Sequence, residues 1–115
     1  MRIVIQRVSH ASVTINGTVK SQIDKGFLVL LGIEEKDASE DIEWLCKKII
    51  GLRVFDDSEG VMNRSIIDEN GDILVISQFT LMASYKKGNR PSYIRAAKHE
   101  ISIPLYNEFC AKLSL

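Results

Sequence analysis

The amino-acid sequence predicts a single α+β domain over residues 1–115, with a mainly antiparallel, barrel-like sheet and two helices. Its patterns run strands, helix, strands, helix, without the repeated strand–helix alternation that is typical of parallel sheets. The chain has 115 residues, which suits one domain with one hydrophobic core. Because a core of this size often gains stability from a second copy of the chain, a homodimer is also predicted.

Four strands are predicted in the N-terminal part of the chain. Residues 1–8 partly alternate between apolar and polar side chains, as in a strand with one buried face. Residues 12–15 and 18–23 flank Asn16-Gly17, a dipeptide that fits the positive φ angles of a tight hairpin turn. Residues 27–33 are almost continuously apolar, which indicates a central strand buried on both faces.

The remainder of the chain combines two helical patterns with further strands. The apolar side chains of residues 37–50 fall at helical spacing. Residues 52–55 are predicted as a short strand, and residues 72–81 form the clearest strand of the chain. Residues 85–100 are predicted as a loop, followed by a last helix that is capped by Ser102.

Basic side chains are concentrated in one stretch, although the whole chain is neutral, with 15 basic and 15 acidic residues. No acidic residue occurs between Asp72 and Glu100. The basic residues of this stretch are Lys86, Lys87, Arg90, Arg95 and Lys98. Such a surface can attract the phosphate backbone of a nucleic acid, or it can be a solvated loop that happens to lack acids.

No motif indicates metal or nucleotide-cofactor chemistry. His10 and His99 lie far apart, and Cys46 and Cys110 occur singly within helical patterns, where a buried small side chain is the expected role. The seven glycines are scattered, without a phosphate-cradling motif. We therefore expect no metal and no organic cofactor. With no signal peptide and no apolar run of membrane length, a cytoplasmic protein is expected.

Thr80 is the main candidate nucleophile, and it lies near the end of the predicted strand 72–81. Alternation along that strand places Gln78 on the same face, and a Gln side chain cannot take a proton from a hydroxyl. The residues therefore favour the ordinary role of Thr in a strand. His99 lies in the predicted loop, where it can contact phosphate or remain a surface side chain.

Two segments together resemble the signature regions of the D-aminoacyl-tRNA deacylase family. They are Ser77-Gln78-Phe79-Thr80-Leu81, which is the more specific, and Gly88-Asn89-Arg90-Pro91-Ser92-Tyr93. The segments Ile5-Gln6-Arg7-Val8 and Met62-Asn63 agree as well. The resemblance extends over essentially all 115 residues.

The resemblance implies an antiparallel, barrel-like domain that works as a homodimer without a metal or organic cofactor. It implies hydrolysis of D-aminoacyl-tRNA to free tRNA and D-amino acid, and of glycine mischarged on tRNA for alanine. Ser77, Gln78, Phe79 and Thr80 would line the pocket for the terminal adenosine and the scissile ester. The N–H groups of Phe79 and Thr80 would act as oxyanion or substrate donors, and the 2′-hydroxyl of the terminal adenosine would assist the chemistry.

Further residues are assigned to the pocket rim and to tRNA by the same resemblance and by the basic stretch. Arg7 and the loop residues Arg90, Pro91 and Ser92 would lie at the rim, and Lys86 and Lys87 would contact tRNA. Two alternatives to the deacylase function stay open. One is a non-catalytic module for tRNA binding and dimerisation, and the other is an esterase with Thr80 as its nucleophile.

The resemblance also implies a segment that this sequence does not contain. Members of the family carry Asn-x-Gly-Pro-Val-Thr near the C-terminus, where the Gly-Pro carbonyls exclude L-amino acids from the pocket of the partner subunit. Here Pro91 and Pro104 are the only prolines, and neither follows a glycine. The expectation is a chain shortened at its C-terminus, without this filter for handedness.

Overall fold

Seven strands, two α-helices and one 3₁₀ turn make up the computed structural model, which describes residues 1–84 and 88–114. The strands are β1 (Arg2–Val8), β2 (Ala11–Ile15), β3 (Thr18–Ile23), β4 (Gly26–Gly32), β5 (Phe55–Asp56), β6 (Met62–Arg64) and β7 (Asp72–Ser77). The helices are α1 (Ser39–Gly51) and α2 (His99–Leu113), and the 3₁₀ turn is Phe79–Met82.

A three-stranded sheet in the order β1-β4-β7 carries the core. β4 lies in the middle, antiparallel to β1 and parallel to β7. Its apolar sequence explains this position, because both faces of a central strand are covered. Phe27, Val29 and Leu31 are fully buried in the core on one face, and Leu28 and Leu30 are half-buried on the other.

The two helices contribute to the same core. Ile42, Cys46 and Ile49 of α1 are buried at the predicted helical spacing, together with Phe109 of α2. The Cys46 thiol lies 3.7 Å from the carbonyl oxygen of Phe109. Burial raises the pKa of the Cys46 thiol to about 11, so this thiol is protonated at neutral pH and packs as an apolar group.

The predicted hairpin between the second and third strands is confirmed. β2 and β3 pair antiparallel around Asn16 and Gly17, whose φ angles are 51° and 77°. Positive φ is rare outside glycine and asparagine, so this dipeptide fixes the position of the turn.

The predicted fold class is confirmed, with one correction to its shape. Two helices pack with mainly antiparallel strands. Among the described residues the main sheet is open and not closed as a barrel, because β1 and β7 are its two edges. The pairs β2-β3 and β5-β6 form separate two-stranded sheets.

Two predicted strand boundaries are wrong. The strand predicted at 72–81 ends at Ser77, because the chain enters the 3₁₀ turn at Phe79. The short strand predicted at 52–55 instead covers Phe55–Asp56, because these are the residues that pair with β6.

The predicted start of the last helix is also wrong. α2 begins at His99, within the segment predicted as a loop, and not at Ser102. The carbonyl oxygen of Lys98 accepts hydrogen bonds from the N–H groups of Ile101 and Ser102, which places the first helical turn ahead of Ser102.

Gly26 is expected to be required at the start of β4. A β-carbon there would collide with the backbone of Asp72, the residue that pairs with Gly26 in β7. Gly26→Ala should therefore lower the free energy of unfolding by about 1–3 kcal/mol, the usual cost of overpacking. Gly51→Ala is the control, since nothing lies within 4 Å of a β-carbon at that position. Urea unfolding measures both variants, and an unchanged stability of Gly26→Ala would contradict the close approach of β4 and β7.

Candidate functional site

The end of β7 and the turn that follows it form one side of the candidate site. The N–H of Gln78 donates a hydrogen bond of 2.8 Å to the carbonyl oxygen of Leu31 in β4, which continues the strand pairing by one residue. The chain then enters the turn Phe79–Met82, and Arg2 of β1 donates a hydrogen bond of 2.9 Å to the carbonyl oxygen of Leu81. The turn is thus attached to both β4 and β1.

Gly32, the last residue of β4, allows this turn to approach the strand closely. A β-carbon at Gly32 would lie 2.9 Å from Cβ of Leu81 and 3.2 Å from the carbonyl oxygen of Gln78. Both distances are shorter than ordinary van der Waals contact, so a larger residue at this position would push the turn away from β4.

A cleft of about 570 Å³ opens beside the turn. Ser77 and Phe79 line it, and the segment at the start of α2 completes it. The lining residues are Ile33, Ser77, Phe79, Ala97, Lys98, His99 and Ser102. The cleft therefore combines an apolar surface with hydroxyl and basic side chains.

Main-chain donors are available at the same turn. Within residues 1–84 and 88–114, neither the N–H of Phe79 nor that of Thr80 donates a hydrogen bond. This is usual for the first turn of a helix, whose leading N–H groups have no acceptor within the helix. Phe79 is also among the residues that line the cleft, whereas Thr80 is not.

The Thr80 hydroxyl is hydrogen-bonded to the side-chain amide of Gln78. The amide nitrogen donates in this contact and cannot take a proton from the hydroxyl. No histidine, lysine or carboxylate of the described residues hydrogen-bonds Thr80, and neither Gln78 nor Thr80 is among the residues that line the cleft. Among the described residues, Thr80 therefore has a local hydrogen bond and no neighbouring base.

The chain returns from the turn to α2 through a loop that is fixed at its two ends. Ser84 and Ser92 exchange backbone hydrogen bonds of 2.7 and 2.8 Å. The N–H of Ala97 donates a hydrogen bond of 2.8 Å to the carbonyl oxygen of Ile33, just beyond β4. This second attachment brings the start of α2 back to the end of the central strand.

The basic stretch predicted as a phosphate-binding surface is described only in part. Lys86 and Lys87 lie outside the described residues. Arg90 is exposed. Arg95 instead forms an ion pair with the buried carboxylate of Glu34, so its charge is compensated within the chain. This ion pair therefore reduces the net positive charge of the basic stretch.

Comparison with known proteins identifies the family. The family model described as D-Tyr-tRNA(Tyr) deacylase matches residues 4–115. The chain belongs to this family. The D-aminoacyl-tRNA deacylase of Phocaeicola vulgatus is 72% identical over 115 residues, which are 100% of this chain and 77% of that protein. The D-aminoacyl-tRNA deacylase of Bacteroides thetaiotaomicron is 71% identical over 114 residues, or 99% of this chain and 76% of that protein.

Solved structures have the same fold. A structure described as c-Myc DNA Unwinding Element Binding Protein is 41% identical and superposes with a TM-score of 0.92, over 98% of this chain and 76% of that one. A probable eukaryotic D-amino acid tRNA deacylase superposes with a TM-score of 0.79 over 96% of this chain and 65% of that one. At 17% identity the second likeness shows the fold alone. The deacylase resemblance of the sequence is confirmed.

Arg7, which was predicted to lie at the rim of the deacylase pocket, lies at the far end of the central strand from the turn. It pairs with Phe27, at the opposite end of β4 from Leu31. Its guanidinium donates a hydrogen bond of 2.6 Å to the carbonyl oxygen of Val54 and lies 3.9 Å from the carboxylate of Asp56. Within one copy of the chain these contacts occupy Arg7, and its role in substrate binding stays a prediction.

The sequence analysis did not place the start of α2 at the deacylase site. Lys98, His99 and Ser102 line the cleft. The sequence analysis considered Lys98 and His99 as loop residues able to contact phosphate, and Ser102 as a helix cap. They lie well after Ser77 in the chain, and the backbone hydrogen bond from Ala97 brings the segment back. The basic residues of this stretch indicated a binding role, but the sequence does not show that the start of α2 lies beside the end of β4.

Other features of the described residues point to no second site. A larger groove of about 670 Å³ lies beside α1 and the end of α2, and it contains none of the motif residues. No group of three or more His, Cys, Asp or Glu in the described ranges is placed to hold a metal ion. Neither described helix has the length and apolar character needed to cross a membrane.

Proposed function

We propose that this chain hydrolyses the ester that joins a D-amino acid to tRNA, releasing free tRNA and the D-amino acid. The observation that carries the proposal is the deacylase family match over residues 4–115, which includes the cleft-lining Ser77 and Phe79. The relatives that share more than two thirds of the sequence are named D-aminoacyl-tRNA deacylases. Since aminoacyl-tRNA is used in the cytoplasm, we assign the activity to that compartment.

We propose that the protein contributes positioning and main-chain donors to this reaction. An ester needs an oriented water and a stabilised oxyanion for hydrolysis. The N–H groups of Phe79 and Thr80, which have no acceptor within the described residues, are the proposed oxyanion donors. The 2′-hydroxyl of the terminal adenosine is the proposed assisting group. The Thr80 hydroxyl has only Gln78 as a described partner, which supports a role for the substrate's own hydroxyl.

An aromatic pair beside the cleft supports binding of the terminal adenosine. The ring of Phe79 is 58% exposed and meets Tyr93 edge to face, with the ring centroids 5.1 Å apart. Unpaired bases at the ends of RNA stack on exposed aromatic rings. We propose Phe79 as this stacking surface. Ser77 would lie beside the ester, with Gln78 and Thr80 as the supporting residues behind it.

The tRNA body is proposed to bind along the loop after the turn. Arg90 is exposed there and carries no described ion pair, and Pro91 and Ser92 adjoin it. Lys86 and Lys87 are included in the proposed tRNA-binding surface because they belong to the same basic stretch of the sequence. Contacts between such cations and phosphates weaken as the salt concentration rises.

Release of tyrosine from D-tyrosyl-tRNA is the direct test of the proposed function. The rate should exceed spontaneous hydrolysis by several orders of magnitude. Glycine on tRNA for alanine, assayed in parallel, tests the proposal that this mischarged substrate is also accepted. Binding of tRNA without accelerated release would favour the non-catalytic module instead.

Thr80→Ala is expected to retain turnover within about tenfold of the wild type, because no described residue is placed to act as a base for its hydroxyl. Replacing the 2′-hydroxyl of the terminal adenosine by hydrogen should cost about 100-fold or more, as expected for a lost acid–base group. Single-turnover rates of D-tyrosyl release measure both effects, with Thr80→Ser as the conservative control. Full inactivation by Thr80→Ala, together with normal hydrolysis of the 2′-deoxy substrate, would establish the Thr-nucleophile esterase.

We also propose that the active form is a homodimer. On the sheet face away from Phe27, the register places Val4, Leu30 and Ile76 side by side, and Val4 is 48% exposed. A row of apolar side chains on one sheet face is typical of surfaces that pair with a partner.

Val4→Lys is expected to shift the protein towards monomer, because a lysine cannot be buried in an apolar interface without a large desolvation penalty. Val19→Lys is the matched control, since Val19 is 53% exposed on the β2-β3 hairpin. Sedimentation velocity at micromolar concentration measures the distribution. A wild-type protein that sediments only as a monomer would contradict the dimer. An equal shift towards monomer in both variants would contradict the assignment of the interface to the sheet face that carries Val4.

A further inference from the structure

The cleft beside the turn carries two basic side chains to which the proposed reaction has given no role. Lys98 and His99 line it together with Ser77 and Phe79. Both are exposed residues. Within residues 1–84 and 88–114, neither side chain makes an ion pair or a hydrogen bond. Their donors are therefore open to a ligand in the cleft.

The electrostatics of this cleft favour an anion. No acidic side chain lines it. Glu34, which follows the lining residue Ile33, is ion-paired with Arg95, and Glu100 is not among the lining residues. A cleft with cationic groups and no carboxylate concentrates negative ligands, and the hydroxyl of Ser102 adds a neutral donor.

The substrate of the proposed reaction carries an anion next to its ester. The ester is on the terminal ribose, and the same ribose carries the last phosphodiester of the tRNA at its 5′ oxygen. When the ester lies at Ser77 and Phe79, that phosphodiester is only a few bonds away. Lys98 and His99 line the same cleft and are the basic groups placed to meet it.

We propose that Lys98 and His99 bind the phosphodiester on the 5′ side of the terminal adenosine and thereby position the ester at the turn. This inference rests on the proposed deacylase function and adds two positioning residues to it. Lys98 supplies a point charge, and His99 supplies a ring N–H donor. Because the phosphodiester does not change during ester hydrolysis, the contacts lower KM and leave kcat unchanged.

Two minimal substrates isolate the phosphate: 3′-O-D-tyrosyl-adenosine and the same compound with a 5′-phosphate. For the wild-type protein, KM should be about tenfold lower for the phosphorylated substrate, as expected for charge-assisted hydrogen bonds. In the double variant K98Q/H99Q the difference should disappear, with kcat unchanged for both substrates. Lys20→Gln, which changes an exposed lysine of β3, is the matched control and should keep the difference.

Equal KM values for the two substrates in the wild type would overturn the proposal, as would an undiminished difference in K98Q/H99Q. A fall in kcat for the unphosphorylated substrate in His99→Gln alone would give His99 a part in the chemistry and would also overturn the positioning role. Thermal unfolding of each variant checks that the fold is retained.

Failure of the proposed function is distinguishable from failure of this inference. If the wild type hydrolyses neither minimal substrate nor D-tyrosyl-tRNA, the deacylase function fails. Titration with adenosine 5′-phosphate and with adenosine then tests the phosphate site by itself. If the phosphate site exists, the wild type should bind adenosine 5′-phosphate about tenfold more tightly than adenosine, and K98Q/H99Q should bind the two equally. Equal binding of the two ligands by the wild type would overturn it.

Discussion

The parallel pairing of β4 with β7 is the interaction on which the rest of the structure depends. It begins at Gly26, runs to Leu31, and is continued by the hydrogen bond that Gln78 donates to Leu31. Gly32 then leaves room for the 3₁₀ turn to fold back against β4. Ser77 and Phe79 reach the cleft because this pairing ends at Ser77, and Phe79 is exposed there.

A site built from a strand end and a turn favours catalysis by position. Two potentially nucleophilic side chains are unsuited to covalent catalysis. Burial raises the pKa of the Cys46 thiol to about 11, and the Thr80 hydroxyl is hydrogen-bonded to the side-chain amide of Gln78. Backbone donors held by a sheet need no reorganisation when charge develops on the substrate. The proposed reaction also requires that the substrate be held in position, and Lys98 and His99, which line the cleft, are the residues proposed for this role.

Local patterns predicted both helices and most strands, but not β6 or the 3₁₀ turn, whereas long-range contacts determine the site. Asn16-Gly17 marked the hairpin because its φ angles are a local property. The end of β7 at Ser77 could not be predicted, because it depends on where β4 ends and on the space at Gly32, which is distant in sequence. The pairing of Arg95 with Glu34 could not be predicted for the same reason, because the two residues are distant in sequence and the charge pattern shows only that Arg95 belongs to the basic stretch.

The central claim is that the close approach at Gly32 sets the position of the Phe79 and Thr80 donors, and Gly32→Ala tests it most directly. A β-carbon there would lie 2.9 Å from Cβ of Leu81, so the turn must move. The account predicts a folded protein in which kcat for D-tyrosyl-tRNA falls by about 100-fold, the usual cost of a misplaced oxyanion donor. Gly51→Ala should leave kcat unchanged. A Gly32→Ala protein with wild-type kcat would contradict the account.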